Sequence, residues 1–115
     1  VAGAEPAAHE RVLGAPASYY RDLARYDAPR TLAKLRLPAL ILQGERDYQV
    51  TATDFRAWQK ALGTKKNAST KLYPGLNHLF SHGEGKSVPE EYQVPGHVEE
   101  AVVVDIAEFV SRRAD

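Results

Sequence analysis

Asp47 and His78 are the two residues of this chain whose types and settings could do chemistry together. Asp47 follows the apolar run Leu40-Ile41-Leu42-Gln43 across Gly44, and His78 follows Lys71-Leu72-Tyr73 across Pro74-Gly75. An imidazole can take the proton of a weakly nucleophilic hydroxyl and later return it. A carboxylate at its other nitrogen holds the right tautomer and stabilises the imidazolium. The segment between the two residues has helical spacing, so the pattern is strand, acid-bearing turn, helix, strand, His-bearing loop. In a parallel sheet both side chains then emerge at the carboxyl ends of the strands, where such sheets place their sites. An acid followed by a histidine is also two-thirds of a nucleophile triad in the order Ser, Asp, His. The serine is missing: Ser18, Ser69, Ser81, Ser87 and Ser111 all lack the flanking glycines of a nucleophile elbow.

The elements that must position this pair can be read from spacing. Ala39–Gln43 is apolar without alternation, as in a strand buried on both faces of a parallel sheet. Gly44 permits a sharp turn out of it. Thr51 with Asp54 three residues on is a helix start, Phe55, Trp58 and Leu62 form one stripe, and Gly63 closes the helix. A polar connection over 64–69 leads to a brief strand over 70–73. From Gly96, Val98, Val102, Ile106 and Phe109 recur with helical spacing up to Arg112-Arg113, whose charges suit a helix carboxyl end.

Upstream, Ser18 is an expected N-cap for a short helix carrying Tyr19, Tyr20, Leu23 and Tyr26. Pro29 suits the first turn of a second helix with Leu32, Ala33, Leu35 and Leu37, which Pro38 ends. Residues 1–17, rich in Ala, Gly and Pro, read as a linker or the remnant of a preceding segment, with a short helix over 7–13 as an option.

Composition narrows the classes. Fifteen basic and fifteen acidic residues cancel in 115, which offers no nucleic-acid footprint and no pull toward an anionic membrane. No apolar run approaches the roughly 18 residues of a membrane span. Without cysteine there are no disulfides and no thiolate metal sites. The chain opens on Val and reads as a piece of something longer, so the compartment, cytoplasmic or secreted, stays open.

Taken bare, an acid and a histidine thirty-one residues apart fit a satisfied loop histidine better than a site. The words around them change that reading. Leu-Ile-Leu-Gln-Gly-Glu-Arg-Asp-Tyr-Gln-Val over 40–50 and Tyr-Pro-Gly-Leu-Asn-His-Leu-Phe over 73–80 resemble the acid and histidine segments of the α/β-hydrolase superfamily. They look like those of its bacterial esterase-like and dienelactone-hydrolase-like members, including ones whose histidine precedes a Gly-rich, Glu-Tyr-containing loop such as 83–96. The resemblance runs over about residues 18–114. It implies that Asp47 is the acid and His78 the base of a Ser-His-Asp triad for carboxylic esters, with no cofactor. Tyr48, Gln49, Leu79 and Phe80 are then candidates for the substrate pocket.

The departures from that family are as informative. Neither Gly-x-Ser-x-Gly nor the glycine-rich oxyanion segment is in this chain, so it resembles the last third of such a hydrolase and alone should be inactive. The expected fold is an α/β, C-terminal strand–helix–strand–helix fragment of the hydrolase sheet over 18–115, preceded by one or two short helices. A non-catalytic, hydrolase-like binding or interaction module is the alternative. Among lesser candidates, Glu45 could replace Asp47 as acid, though the family spacing favours Asp47. His78 and His82 could pair on a metal, but the Gly-Glu-Gly after His82 argues for a loop without one. His97 reads as a capping or exposed residue at a helix start, Arg46 as an exposed or ion-paired structural residue, and Trp58 as core. The apolar edge of 39–43 would be open to pairing with a second copy, giving a homodimer with a continuous sheet.

Overall fold

The computed structural model describes residue 7 and residues 9–113 of the chain. Part of the expected 1–17 linker therefore lies outside the described residues. In the rest of it the optional helix over 7–13 is replaced by a small hairpin, β1 (Arg11–Val12) against β2 (Ala15–Pro16). Its two-residue loop is Leu13-Gly14, both at positive φ (46° and 85°), the left-handed pair that a tight hairpin turn requires. Helix α1 (Ala17–Arg25) follows directly and starts one residue before Ser18, with Pro16 rather than Ser18 at the cap. The Ala17 N–H is already taken by the Glu10 carbonyl at 2.7 Å, so the hairpin sets where the helix begins.

Helix α2 (Ala28–Lys34) is capped by Asp27, whose carboxylate accepts the Arg30 N–H at 3.0 Å. It stops short of the expected Leu35 and Leu37, which are exposed. The carbonyl of Leu35 is engaged by the Lys65 ammonium and that of Arg36 by the Asn67 amide at 3.1 Å. Pro38 has no N–H with which to carry the helix further. Those two bonds tie the start of the sheet to the far end of the next helix.

The main sheet has two parallel strands, β3 (Ala39–Gly44) and β4 (Ala68–Tyr73), in register from Ala39 against Ala68 to Gly44 against Tyr73. β4 starts two residues before the expected Thr70, because the Ala39 N–H reaches the Asn67 carbonyl at 3.1 Å and opens the ladder there. Between the strands runs α3 (Ala52–Leu62), packed on α2 and on both strands. The Asp54 carboxylate accepts the Thr51 N–H at 2.9 Å at its start, and Phe55 and Leu62 are buried. Trp58, expected in the core, is only half-buried.

On the other side of the sheet α4 (Glu100–Ser111) inserts Val102 between Tyr73 and Leu76, with Leu42 and Phe80 packed against that cluster. Fully burying side chains of this kind stabilises by about 1.5–3 kcal/mol each. Two strands alone are marginal in water, so this packing carries much of the fold. α4 starts at Glu100 rather than near Gly96, and His97 lies before the helix and not at its start. The preceding segment is held extended instead: the Glu99 N–H donates to the Phe80 carbonyl at 2.9 Å, and the Ser81 hydroxyl to the His97 carbonyl at 3.1 Å. One turn of 3₁₀ helix, Pro89–Gln93, interrupts the 79–95 stretch. No helix among the described residues is long and apolar enough to cross a membrane. The other edge of β3 has no strand partner among the described residues.

Candidate active site

The acid turn leaves β3 at Gly44 and the histidine loop leaves β4 at Pro74, so both emerge from the same end of a parallel pair. The two loops are then stitched together by their backbones. The Glu45 N–H donates to the Tyr73 carbonyl at 3.0 Å and the Arg46 N–H to the Leu76 carbonyl at 2.9 Å. Only glycine fits at position 44. A Cβ there would stand 2.5 Å from the Asn77 carbonyl oxygen and 2.6 Å from that of Leu76.

Asp47 is held by its own turn. Its Oδ1 accepts the N–H groups of Gln49 at 2.9 Å and Val50 at 3.0 Å. Its other oxygen, Oδ2, lies 2.8 Å from Nδ1 of His78. The Asp47 side chain is 6% exposed and that of His78 37%, so the carboxylate is covered while the ring has a face to solvent. A carboxylate only accepts when ionised, so the Nδ1 of a neutral ring carries the proton and Nε2 is left as the acceptor. Such a pair can receive a proton at Nε2 from a hydroxyl brought to it.

The histidine loop is shaped from within by Asn77, buried to 2% exposure. Its side-chain oxygen accepts the N–H groups of Leu79 at 2.9 Å and Ser81 at 3.1 Å. This is the local amide-to-backbone bonding that turns Asn into a loop former, and the Asn-His pair in the sequence carried the signal for it. Glu45 does not compete with Asp47 for the imidazole. Its carboxylate accepts the Gly75 N–H at 3.2 Å instead.

The four pocket candidates separate. Tyr48 stacks on Tyr92, ring centroids 6.0 Å apart and planes 19° off parallel, and Gln49 donates its side-chain amide to the Tyr92 hydroxyl at 2.9 Å. Leu79 is half exposed on a groove between 77–83 and 91–96. Phe80, at φ 55°, packs edge-on against Tyr73 in the core at 6.0 Å. A shallow groove beside Asp47, lined by Tyr48, Arg46 and residues 83–87, does not include His78 in its walls.

Of the two settings expected for Arg46, exposed or ion-paired, the structure shows the ion pair, with Glu91 as partner and the arginine side chain largely buried. Its guanidinium donates to the Gly85 carbonyl at 2.7 Å, the Glu84 carbonyl at 3.1 Å and the Glu91 carboxylate at 2.7 Å. The Ser87 hydroxyl donates to the second oxygen of Glu91. Ser87, and after it Arg46, hold the Glu91 carboxyl below its ordinary range. The 83–93 partners are far from Arg46 in sequence, and nothing in the local pattern marks them.

His82 sits over Gly75, its backbone bridged to Leu76. Among the described residues no group of three or more His, Cys, Asp or Glu side chains could hold a metal ion.

Over 101 residues, 88% of its length, the chain is 44% identical to Esterase EstD of Thermotoga maritima. It spans 24% of that relative, about a quarter of its length. No family model matches the chain. No solved structure matches it.

Proposed function

We propose that this chain is the acid- and base-bearing C-terminal part of a serine hydrolase of the α/β-hydrolase superfamily that cleaves carboxylic esters. Asp47 is the acid and His78 the base. The observation that carries the reading is the 2.8 Å contact between Asp47 Oδ2 and His78 Nδ1 at the carboxyl ends of two adjacent parallel strands. The likeness to an esterase supports the choice of ester as substrate class.

In this reading a serine hydroxyl and the oxyanion donors come from outside these 115 residues. The serine gives its proton to His78 Nε2 as it attacks the ester carbonyl. The tetrahedral oxyanion is then held by the donors, and His78 returns the proton to the leaving alcohol. Asp47 stays ionised throughout and steadies the charged ring. The chain alone lacks the nucleophile, so it turns nothing over.

The test is hydrolysis of short-chain p-nitrophenyl esters by this chain and by the complete polypeptide that contains it. The chain alone should match the buffer blank. The complete polypeptide should hydrolyse the esters, and His78→Ala in it should abolish turnover. A complete polypeptide that binds such esters but hydrolyses none would instead favour a non-catalytic binding module.

A further inference from the structure

Arg46 occupies the position before Asp47 on the acid turn, with its side chain only 9% exposed. Its planar fork reaches across to the segment 84–91 and closes on two carbonyls and one carboxylate. The partner carboxylate, Glu91, belongs to the 3₁₀ turn Pro89–Gln93, and its far oxygen is fastened by buried Ser87. The next residue after Glu91 is Tyr92, whose ring stacks on Tyr48 and whose hydroxyl accepts the Gln49 amide. One turn, 45–50, thus carries the anchor, the acid and the two residues that receive Tyr92.

Gly83 lies against this same closure. A Cβ at that position would collide with both the Arg46 guanidinium and the Glu91 carboxylate. The site of closest approach is therefore kept free of side chain.

The geometry points to Arg46 as a positioning residue that, through Glu91, fixes the Tyr48–Tyr92 stack as a substrate-facing wall beside the acid. The clasp itself rests on the observed contacts. Only the wall's role toward substrate rests on the hydrolase reading above. Arg46 touches no reacting atom and acts through Tyr92. A lysine could not replace it, since a single ammonium is a point charge that cannot span carbonyls and a carboxylate in one plane.

The experiment is NMR on this chain with Arg46→Lys, Gly83→Ala and Tyr92→Phe. Ring-to-ring nuclear Overhauser effects between Tyr48 and Tyr92 should vanish in the first two variants and persist in the third. The β3–β4 amide contacts and the Nδ1-protonated state of His78 should survive in all three. Ring contacts that persist in both Arg46→Lys and Gly83→Ala would overturn the proposal. Gly83→Ala keeps the arginine, so it decides the matter if Arg46→Lys disturbs the sheet. A His78 that is not Nδ1-protonated even in the parent chain would sink the hydrolase reading while leaving the clasp standing. In the complete enzyme, Arg46→Lys should raise KM for short-chain esters about tenfold, as for loss of a substrate contact, with kcat nearly held. A fall in kcat at constant KM would place Arg46 with the acid and overturn the wall.

Discussion

Gly44 and Asn77 meet so closely that a Cβ on the glycine would lie 2.5 Å from the asparagine carbonyl oxygen. The acid turn and the histidine loop are packed backbone to backbone at this point. Gly44→Ala must push the loops apart, so we expect a loss of about 1–3 kcal/mol, the usual cost of overpacking. Urea unfolding measures the loss. The same variant should weaken the Asp47–His78 contact, read from the His78 ring ¹⁵N shifts. An unchanged urea midpoint and unchanged ring shifts would contradict this packing.

Asp47→Asn separates the two jobs of the carboxylate. The amide oxygen can still accept the Gln49 and Val50 N–H groups, so the turn should hold. The amide nitrogen would then face His78 and drive the ring proton to Nε2, where a serine proton could no longer be received. We expect the Nε2-protonated tautomer by ¹⁵N NMR and, in the complete hydrolase, a fall in kcat of about 10⁴-fold. Retained activity would remove Asp47 from the acid role.

Helix α4 is pinned to β4 by Asp105, which accepts from both the Lys71 ammonium and the buried Tyr73 hydroxyl. Lys71, and after it Tyr73, hold the Asp105 carboxyl below its ordinary value. A carboxyl depressed in the folded state binds its proton more readily when unfolded. Its contribution is therefore present above the unfolded value near 4 and is lost as pH falls below it toward the folded value. Urea midpoints should drop on acidification below about pH 4, and Asp105→Asn should flatten that part of the profile. An equally steep acid limb in the variant would assign it to other carboxylates.

Tyr73 works in the opposite direction at the alkaline end. Burial first, and then the Asp105 carboxylate, push its hydroxyl above the ordinary phenol value. A raised folded value means that the stabilising contribution is fully present below the unfolded value of about 10 and is lost progressively as pH rises above it toward the folded value. Tyr73→Phe should remove this alkaline loss from the urea profile. If the alkaline limb is unchanged, the Tyr73–Asp105 bond does not contribute to it.

The elements were legible in the sequence wherever a local rule acts. Apolar continuity marked β3, the 3.6 period marked α3 and α4, and Thr51 with Asp54 marked a helix start. Glycine and Pro-Gly after the strands marked the turns that carry Asp47 and His78. Boundaries went astray where a distant partner intervened. α2 ends early and the chain after it is tied to Lys65 and Asn67 through the Leu35 and Arg36 carbonyls, and α4 begins late because Phe80 and Ser81 hold the chain extended before it.

For the site, sequence alone determined which residues could be acid and base and that both should leave the same end of a parallel pair. Those are properties of residue type and of order along the chain. Tertiary structure alone decided that Glu45 turns to the Gly75 N–H, that Gly44 is pressed against the histidine loop, and that Arg46 closes on Glu91; the Asp47–His78 contact agrees with the spacing that already favoured Asp47. These contacts join residues about thirty to forty-five positions apart. Over such separations the partner is chosen by how the strands and helices pack, and no local spacing encodes it.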